Sequence, residues 1–237
     1  DGWVAQTGNE AHVSALRERA VARSTALDGL AFATEAELYG ALGLPFIPPE
    51  LRQGTDELAL AEARGFDDLI TLSDILGSVH CHTTFSDGRA SVLEMAQAAQ
   101  ALGHQYITIT DHSPSAHYAS GVPLERLKQQ WDEIAAAQEQ VQIRILRGTE
   151  SDILSDGSLD YPDDVLERFD VIIASIHARH KQDRASMTQR LTRALSLPLF
   201  KIWGHALGRI LGQRDPIDCD VPAILDALAG SPGAIEV

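Results

Sequence analysis

From residue 75 onward, short apolar runs rich in β-branched residues alternate with longer stretches whose apolar positions recur every three to four residues. The runs span residues 75–79, 106–110, 141–146, 171–176, 199–203 and 234–237. Each is short enough for a buried strand. Between them, residues 91–102, 123–138, 162–169, 186–195 and 221–229 carry the helical period. Ser91 with Glu94 forms a capping-box pattern, and Gly103 supplies a stop. Strand alternating with helix predicts a parallel sheet built through crossovers. Six strands in this length suit either a barrel or a doubly wound sheet.

The first third reads differently. Residues 11–22 are periodic and rich in Ala, Arg and Glu, and Thr34 with Glu37 predicts a second cap before a helix over 35–42. Gly43, Pro45, Pro48, Pro49 and Gly54 then break regular structure, and residues 56–68 are acidic. The pattern predicts three parts: 1–52, mainly helical; 53–74, an acidic linker; and 75–237, the α/β domain.

Composition narrows the class. The 237 residues are 44% hydrophobic, enough for a sizeable core. No apolar run approaches the roughly 20 residues of a membrane helix, so no membrane partner is expected. Two cysteines, Cys81 and Cys219, make no disulfide framework, which favours a reducing, cytoplasmic setting. The net charge of −15 argues against holding nucleic acid by bulk charge. That deficit is unevenly spread. Thirteen acidic residues face five basic ones before residue 75, and 21 face 14 beyond it. Charge is therefore a caution rather than a veto for the α/β domain.

The polar residues that follow the apolar runs carry the chemistry. Run one leads into His80-Cys81-His82, run two into Asp111-His112, run three into Gly148-Thr149-Glu150, run four into His177 and run five into Gly204-His205. In parallel α/β barrels these strand ends converge on one mouth. Residues i and i+2 of a strand share a side, so His80 and His82 can address one ion while Cys81 points away. Imidazole with carboxylate suits Zn²⁺, Mn²⁺ or Fe²⁺ better than Ca²⁺ or Mg²⁺. Glu150, a single carboxylate among five histidines, could bridge two ions. Asp87 is a further carboxylate ligand or simply a turn former. Asp111 orients His112 or caps a turn. His12, His104, His117 and His180 follow no strand-end rule and read as surface histidines.

This series resembles the PHP (polymerase and histidinol phosphatase) domain. Gly148 to Leu154, Asp156 to Pro162 and Trp203 to Arg209 are similar to the PHP domain of bacterial family X DNA polymerases. Thr7-Gly8, His12 and Ala15 to Ala20 resemble the thumb of that family, and residues 42–52 its exit. The resemblance implies a distorted seven-stranded, TIM-like (β/α) barrel, about six strands of it present, after a helical thumb remnant. It implies two to three divalent ions, Mn or Zn with Fe as a further candidate. The ligand positions matched are His80, His82, Asp87, His112, Glu150, His177 and His205. Arg209 and Asp87 become candidate catalytic residues, and Gly8 and Arg17 candidate DNA contacts.

The implied activity is metal-dependent 3′-5′ exonuclease hydrolysis of DNA, at 3′ ends of gapped or single-stranded substrates. The implied partner in cis is a polymerase domain upstream of residue 1. The family's Asp-x-His ligand pair would fall beyond Val237, and the polymerase carboxylates before Asp1. Family residues Pro and Thr are replaced by Ala206 and Leu207, and an aromatic before Thr7 by Gln6. Two rival readings are a small-molecule phosphatase of the histidinol-phosphatase type and a non-catalytic scaffold.

Overall fold

The computed structural model describes residues 2–25 and 32–236 and resolves two compact units, Asp1–Leu72 and Ser73–Val237. The N-terminal unit is helical: α1 (Gly2–Thr7), α2 (Glu10–Ala22), α3 (Glu35–Ala41) and α4 (Glu57–Arg64). Asn9 caps α2 by accepting from the His12 N–H, and Thr34 caps α3 by accepting from the Glu37 N–H. The Glu37 carboxylate reaches back one residue further than a capping box requires, to the Ala33 N–H. Val4, Leu16, Leu38, Tyr39, Leu42 and Ile47 bury their side chains together. The buried Arg52 guanidinium grips Glu35 through two hydrogen bonds, at 2.8 and 3.1 Å, and donates to the Ile47 carbonyl. A paired, fully hydrogen-bonded cation is the form in which arginine tolerates burial.

Two expectations for this unit change. The stretch 53–74, expected as a linker, contains α4, and Ala61 of α4 joins the apolar cluster. Its acidic residues lie mostly on the solvated face and hide the apolar stripe. His12, expected at the surface, is fully buried. Its Nδ1 lies 2.6 Å from Glu57 Oε1 and its Nε2 lies 2.8 Å from the Tyr39 hydroxyl.

The C-terminal unit is a six-stranded parallel sheet: β1 (Gly77–Ser78), β2 (Tyr106–Ile109), β3 (Arg144–Asp152), β4 (Val171–Ser175), β5 (Lys201–Trp203) and β6 (Gly233–Ile235). Its helices are α5 (Val92–Ala101), α6 (Leu124–Gln138), α7 (Asp163–Leu166), α8 (Arg184–Leu195) and α9 (Val221–Ala229), one between each successive pair of strands. Strand order follows chain order from β1 to β6, with every neighbour parallel. A doubly wound sheet would reverse its order part-way. The sequential order resolves the alternative in favour of a curled half-barrel.

Strand β4 is buried along its whole length. Ile172 and Ala174 face the helices with Leu191, Trp203 and Ile224, while Val171 and Ile173 join Ile202 on the other face. Period-two alternation therefore divides two apolar layers, as expected for a strand covered on both sides. Each fully buried aliphatic side chain, such as Leu191 or Ile224, contributes about 1.5–3 kcal/mol.

The strand limits differ most from expectation in β1 and β3. The first strand is only two residues long, and Ile75 and Leu76 before it are exposed. The third runs on to Asp152, through Gly148-Thr149-Glu150-Ser151. Apolarity alone ends this strand at Leu146, but pairing with β4 through Asp152 carries it further. At Gly148 a Cβ would lie 2.7 Å from the methyls of Thr108 and Thr110, so only glycine permits this close approach. The expected sixth strand, 234–237, is seen as Gly233–Ile235; Val237 lies outside the described residues.

Candidate metal centre

Extension of β3 places Glu150 inside the strand, paired across to Ile173 and bridged to His112. The carboxylate is buried. Five imidazole nitrogens surround it. His80 Nε2 and His82 Nε2 lie 3.4 and 3.3 Å away. His112 Nδ1 lies at 3.0 Å, His177 Nε2 at 3.2 Å and His205 Nε2 at 2.8 Å. All five histidines named from strand ends thus meet one carboxylate. The Asp87 carboxylate lies 2.8 Å from His82 Nδ1 and 3.8 Å from His112 Nε2.

Among the described residues, three donor sets have their ligand atoms mutually within 4.8 Å: His80–His82–Glu150, His82–Asp87–His112 and His112–Glu150–His177. They share residues, as a multi-ion site would. His112 Nδ1 is buried close to Glu150 yet is not aligned to it as a hydrogen-bond partner. Two lone-pair donors facing a common space suit a cation between them. The nitrogen and carboxylate donors, with no sulfur, fit Zn²⁺, Mn²⁺ or Fe²⁺.

Electrostatics agree with a site built for positive charge. Burial pushes the Glu150 carboxyl up, but the surrounding His112, His177, His205 and His80 outweigh it and hold the group strongly ionised. Burial opposes charge on His177, and Asp152 and Glu150 override it, raising the imidazole to about 9. His80 and His82 shift upward against burial through Glu150, with Glu236 and Asp87 respectively.

Local backbone chemistry fixes these side chains. The loop after β1 is anchored by the buried Asp111 carboxylate. It accepts from the Thr83 N–H and hydroxyl, the Ser86 N–H and hydroxyl, and the Gln130 amide. Asp111 therefore positions the loop that bears Asp87, and among the described residues its carboxylate makes no hydrogen bond to His112. At Gly88 a Cβ would fall 2.5 Å from the His82 carbonyl, so the turn carrying Asp87 presses on the backbone of a candidate ligand. His205 has φ +26°, a strained conformation for a non-glycine residue, held where the Glu236 carboxylate accepts its N–H.

Residue-type reasoning missed three neighbours. Asp152 Oδ1 lies 3.1 Å from His177 Nδ1, Glu236 Oε1 lies 2.9 Å from His80 Nδ1, and Tyr118 stands beside His112 and His177. Asp152 follows Glu150 at the i+2 spacing that marks one strand side, which was the available signal. Arg209 is exposed and lines a cavity of about 420 Å³ with His177, His180 and His205. His117 is exposed as expected, whereas His104 and His180 are half-buried. In the N-terminal unit, Arg17 is exposed on α2. Gly8 lies between α1 and α2, where a Cβ would meet His12 at 2.9 Å.

Comparison with known proteins agrees with this architecture. Residues 78–214 match the PHP domain, and residues 2–53 match the DNA polymerase beta thumb. The chain is 41% identical over 207 residues to the DNA polymerase/3′-5′ exonuclease PolX of Bacillus subtilis (strain 168), covering 87% of this chain and 36% of that protein. It is 30% identical over 135 residues to a "probable phosphatase" of Thermoanaerobacter sp. (strain X514), covering 53% of this chain and 51% of the relative. The chain thus spans about a third of the first relative and half of the second. Among the described residues no helix is long and apolar enough to cross a membrane. With its parallel half-barrel, its convergent His/Glu clusters and these matches, the chain belongs to the PHP domain family of metal-dependent phosphoesterases and carries a polymerase-beta-type thumb at its N-terminal side.

Proposed function

We propose that this chain hydrolyses phosphodiester bonds at DNA 3′ ends, using two to three divalent ions, Mn²⁺ or Zn²⁺ with Fe²⁺ as a further candidate. The observation that carries the reading is the meeting of five imidazoles from four strand ends on the buried carboxylate of Glu150, which a fifth strand supplies. Similarity to PolX that continues through the thumb favours DNA as substrate and a polymerase domain in cis.

His80, His82, Asp87, His112, Glu150, His177 and His205 would hold the ions. Bound there, divalent ions supply Lewis acidity toward phosphoryl oxygens and a lowered pKa for water. The chain's own groups do the rest. Asp152 and Glu236 orient His177 and His80 through their second ring nitrogens. Asp87 is the most exposed carboxylate of the centre and is held ionised, against burial, by His82. It serves as ligand and as acceptor for a proton from the incoming water. Arg209 makes no ion pair among the described residues and borders the cavity beside His177 and His205, free to neutralise a non-bridging phosphate oxygen. Arg17 and the turn at Gly8 offer the thumb's contacts to the DNA backbone.

The acid-rich composition does not oppose this reading, because divalent ions would reverse the local charge at the mouth. Similarity to several proteins named as probable phosphatases supports a second reading, hydrolysis of a small phosphate monoester. Both are tested together. With Mn²⁺, the chain should shorten 5′-labelled single-stranded and gapped DNA from the 3′ end, and His82→Ala should abolish this. Turnover of histidinol phosphate without DNA shortening would establish the phosphatase instead.

A further inference from the structure

Tyr118 belongs to neither the sheet nor any apolar cluster among the described residues, and it is 69% exposed. It stands on a short 3-10 turn, His117–Ala119, between β2 and α6. That turn is tightly fixed. The Val122 N–H donates to the His112 carbonyl at 2.7 Å, and Ser120 holds a left-handed φ of 56°. At Gly121 a Cβ would lie 1.9 Å from the Ser113 carbonyl oxygen, so no other residue fits. The backbone thus commits itself to presenting one aromatic ring at one place.

That place is the rim of the candidate metal centre. The ring centroid lies 5.7 Å from that of His112 and 5.9 Å from that of His177, tilted edge-on to them at 67° and 62°. The ring borders two cavities. One, of about 420 Å³, contains Arg209 and Arg214; the other, of about 310 Å³, contains Ser115 and Arg179. A phosphate seated over the His112–Glu150–His177 donors would bring its attached nucleoside to this ring, with cationic side chains available for the neighbouring phosphates.

We propose that Tyr118 is the platform on which the base beside the scissile phosphate stacks, and that it makes the site select nucleotides over simple phosphate esters. The proposal rests on the reading of the centre as a DNA hydrolase. Stacking of a base on an aromatic side chain is sequence-tolerant, because every base has a π-face. That suits an enzyme working along any 3′ end.

Two readouts separate the proposal from the reading beneath it. The first is a fluorescence titration, with Mn²⁺ present, of an oligonucleotide ending in 3′-2-aminopurine whose last internucleotide linkage is a non-hydrolysable methylenephosphonate, so that no turnover occurs. Wild type and Tyr118→Phe should quench the probe, and Tyr118→Ala should not. The second is hydrolysis with Mn²⁺ of oligonucleotides ending in a normal or an abasic 3′ nucleotide. Tyr118→Ala should raise KM for the normal end by about 5- to 150-fold and leave the abasic end unchanged. Tyr118→Phe should match wild type on both. Equal quenching by wild type and Tyr118→Ala, or an equal loss on both ends, overturns the stacking role and leaves the hydrolase intact. Absence of any DNA hydrolysis by wild type overturns the hydrolase reading, while the titration still decides whether Tyr118 stacks on a base.

Discussion

Asp152 Oδ1 lies 3.1 Å from Nδ1 of His177 and accepts the His177 backbone N–H at 3.2 Å, so one carboxylate fixes both the ring and the chain of a single histidine. The other ring nitrogen of His177 is turned to Glu150. A carboxylate behind a ligating imidazole sets its tautomer and raises its basicity. Asp152→Asn should therefore weaken metal affinity by about 10- to 100-fold while leaving the fold intact. Competition for Mn²⁺ or Zn²⁺ against a chelating dye measures the first, and far-UV circular dichroism the second. Unchanged affinity would mean that Asp152 only shapes the loop.

The contrast between Glu150 and Asp152 shows what a sequence reveals. Glu150, His80, His82, His112, His177 and His205 were legible because their residue types carry metal chemistry and each follows a predicted strand. Asp152 and Glu236 carry equally suitable types but act only through a partner, and partnership depends on register and chain closure. Glu236 meets His80 across 156 residues. Helix α4 was hidden because it lies in an acidic stretch and fully buries only one small apolar residue, Ala61, and one acid, Glu57. His12 was misplaced because burial of a histidine follows from its partners, Glu57 and Tyr39, neither of which is near in sequence.

Gly204 precedes the strained His205. A Cβ there would lie 2.5 Å from both the Ile173 methyl and the Ser175 hydroxyl. Gly204→Ala should cost about 1–3 kcal/mol by overpacking and displace His205 from Glu150. Chemical denaturation should show the lost stability, and metal content should fall in the same protein. A stable variant with full metal content would show that the backbone there yields.

The His12–Glu57 pair makes the N-terminal unit acid-sensitive. Burial raises the Glu57 carboxyl, but the bond to His12 and the N–H groups of Gly54 and Thr55 outweigh it and hold it near 2, against an ordinary 4.5. A depressed carboxyl contributes stability that is complete above pH 4.5 and disappears as pH falls toward 2. The contribution is at most about 3 kcal/mol. Hydrogen exchange of α2 amides should accelerate across that window, and Glu57→Gln should flatten the dependence. Identical profiles for both proteins would remove the pair from acid stability.

Arg209 tests the phosphate half of the account. Arg209→Ala should lower kcat/KM on DNA by about 10- to 1,000-fold, as loss of a transition-state charge partner does, with metal content unchanged. Arg209→Lys should recover part of it, since a point charge replaces a planar fork. Loss of metal in either variant would instead make Arg209 a structural support of the mouth.

Everything proposed for the site depends on Glu150 gathering several ions at once. Metal content per chain, read by elemental analysis after equilibration with Mn²⁺ or Zn²⁺ and removal of free ion, decides it. Wild type should retain two or more ions per chain, and Glu150→Gln, which keeps the shape and removes the charge, should lose most of them. Fewer than one ion in wild type, or an unchanged content in Glu150→Gln, would contradict the account.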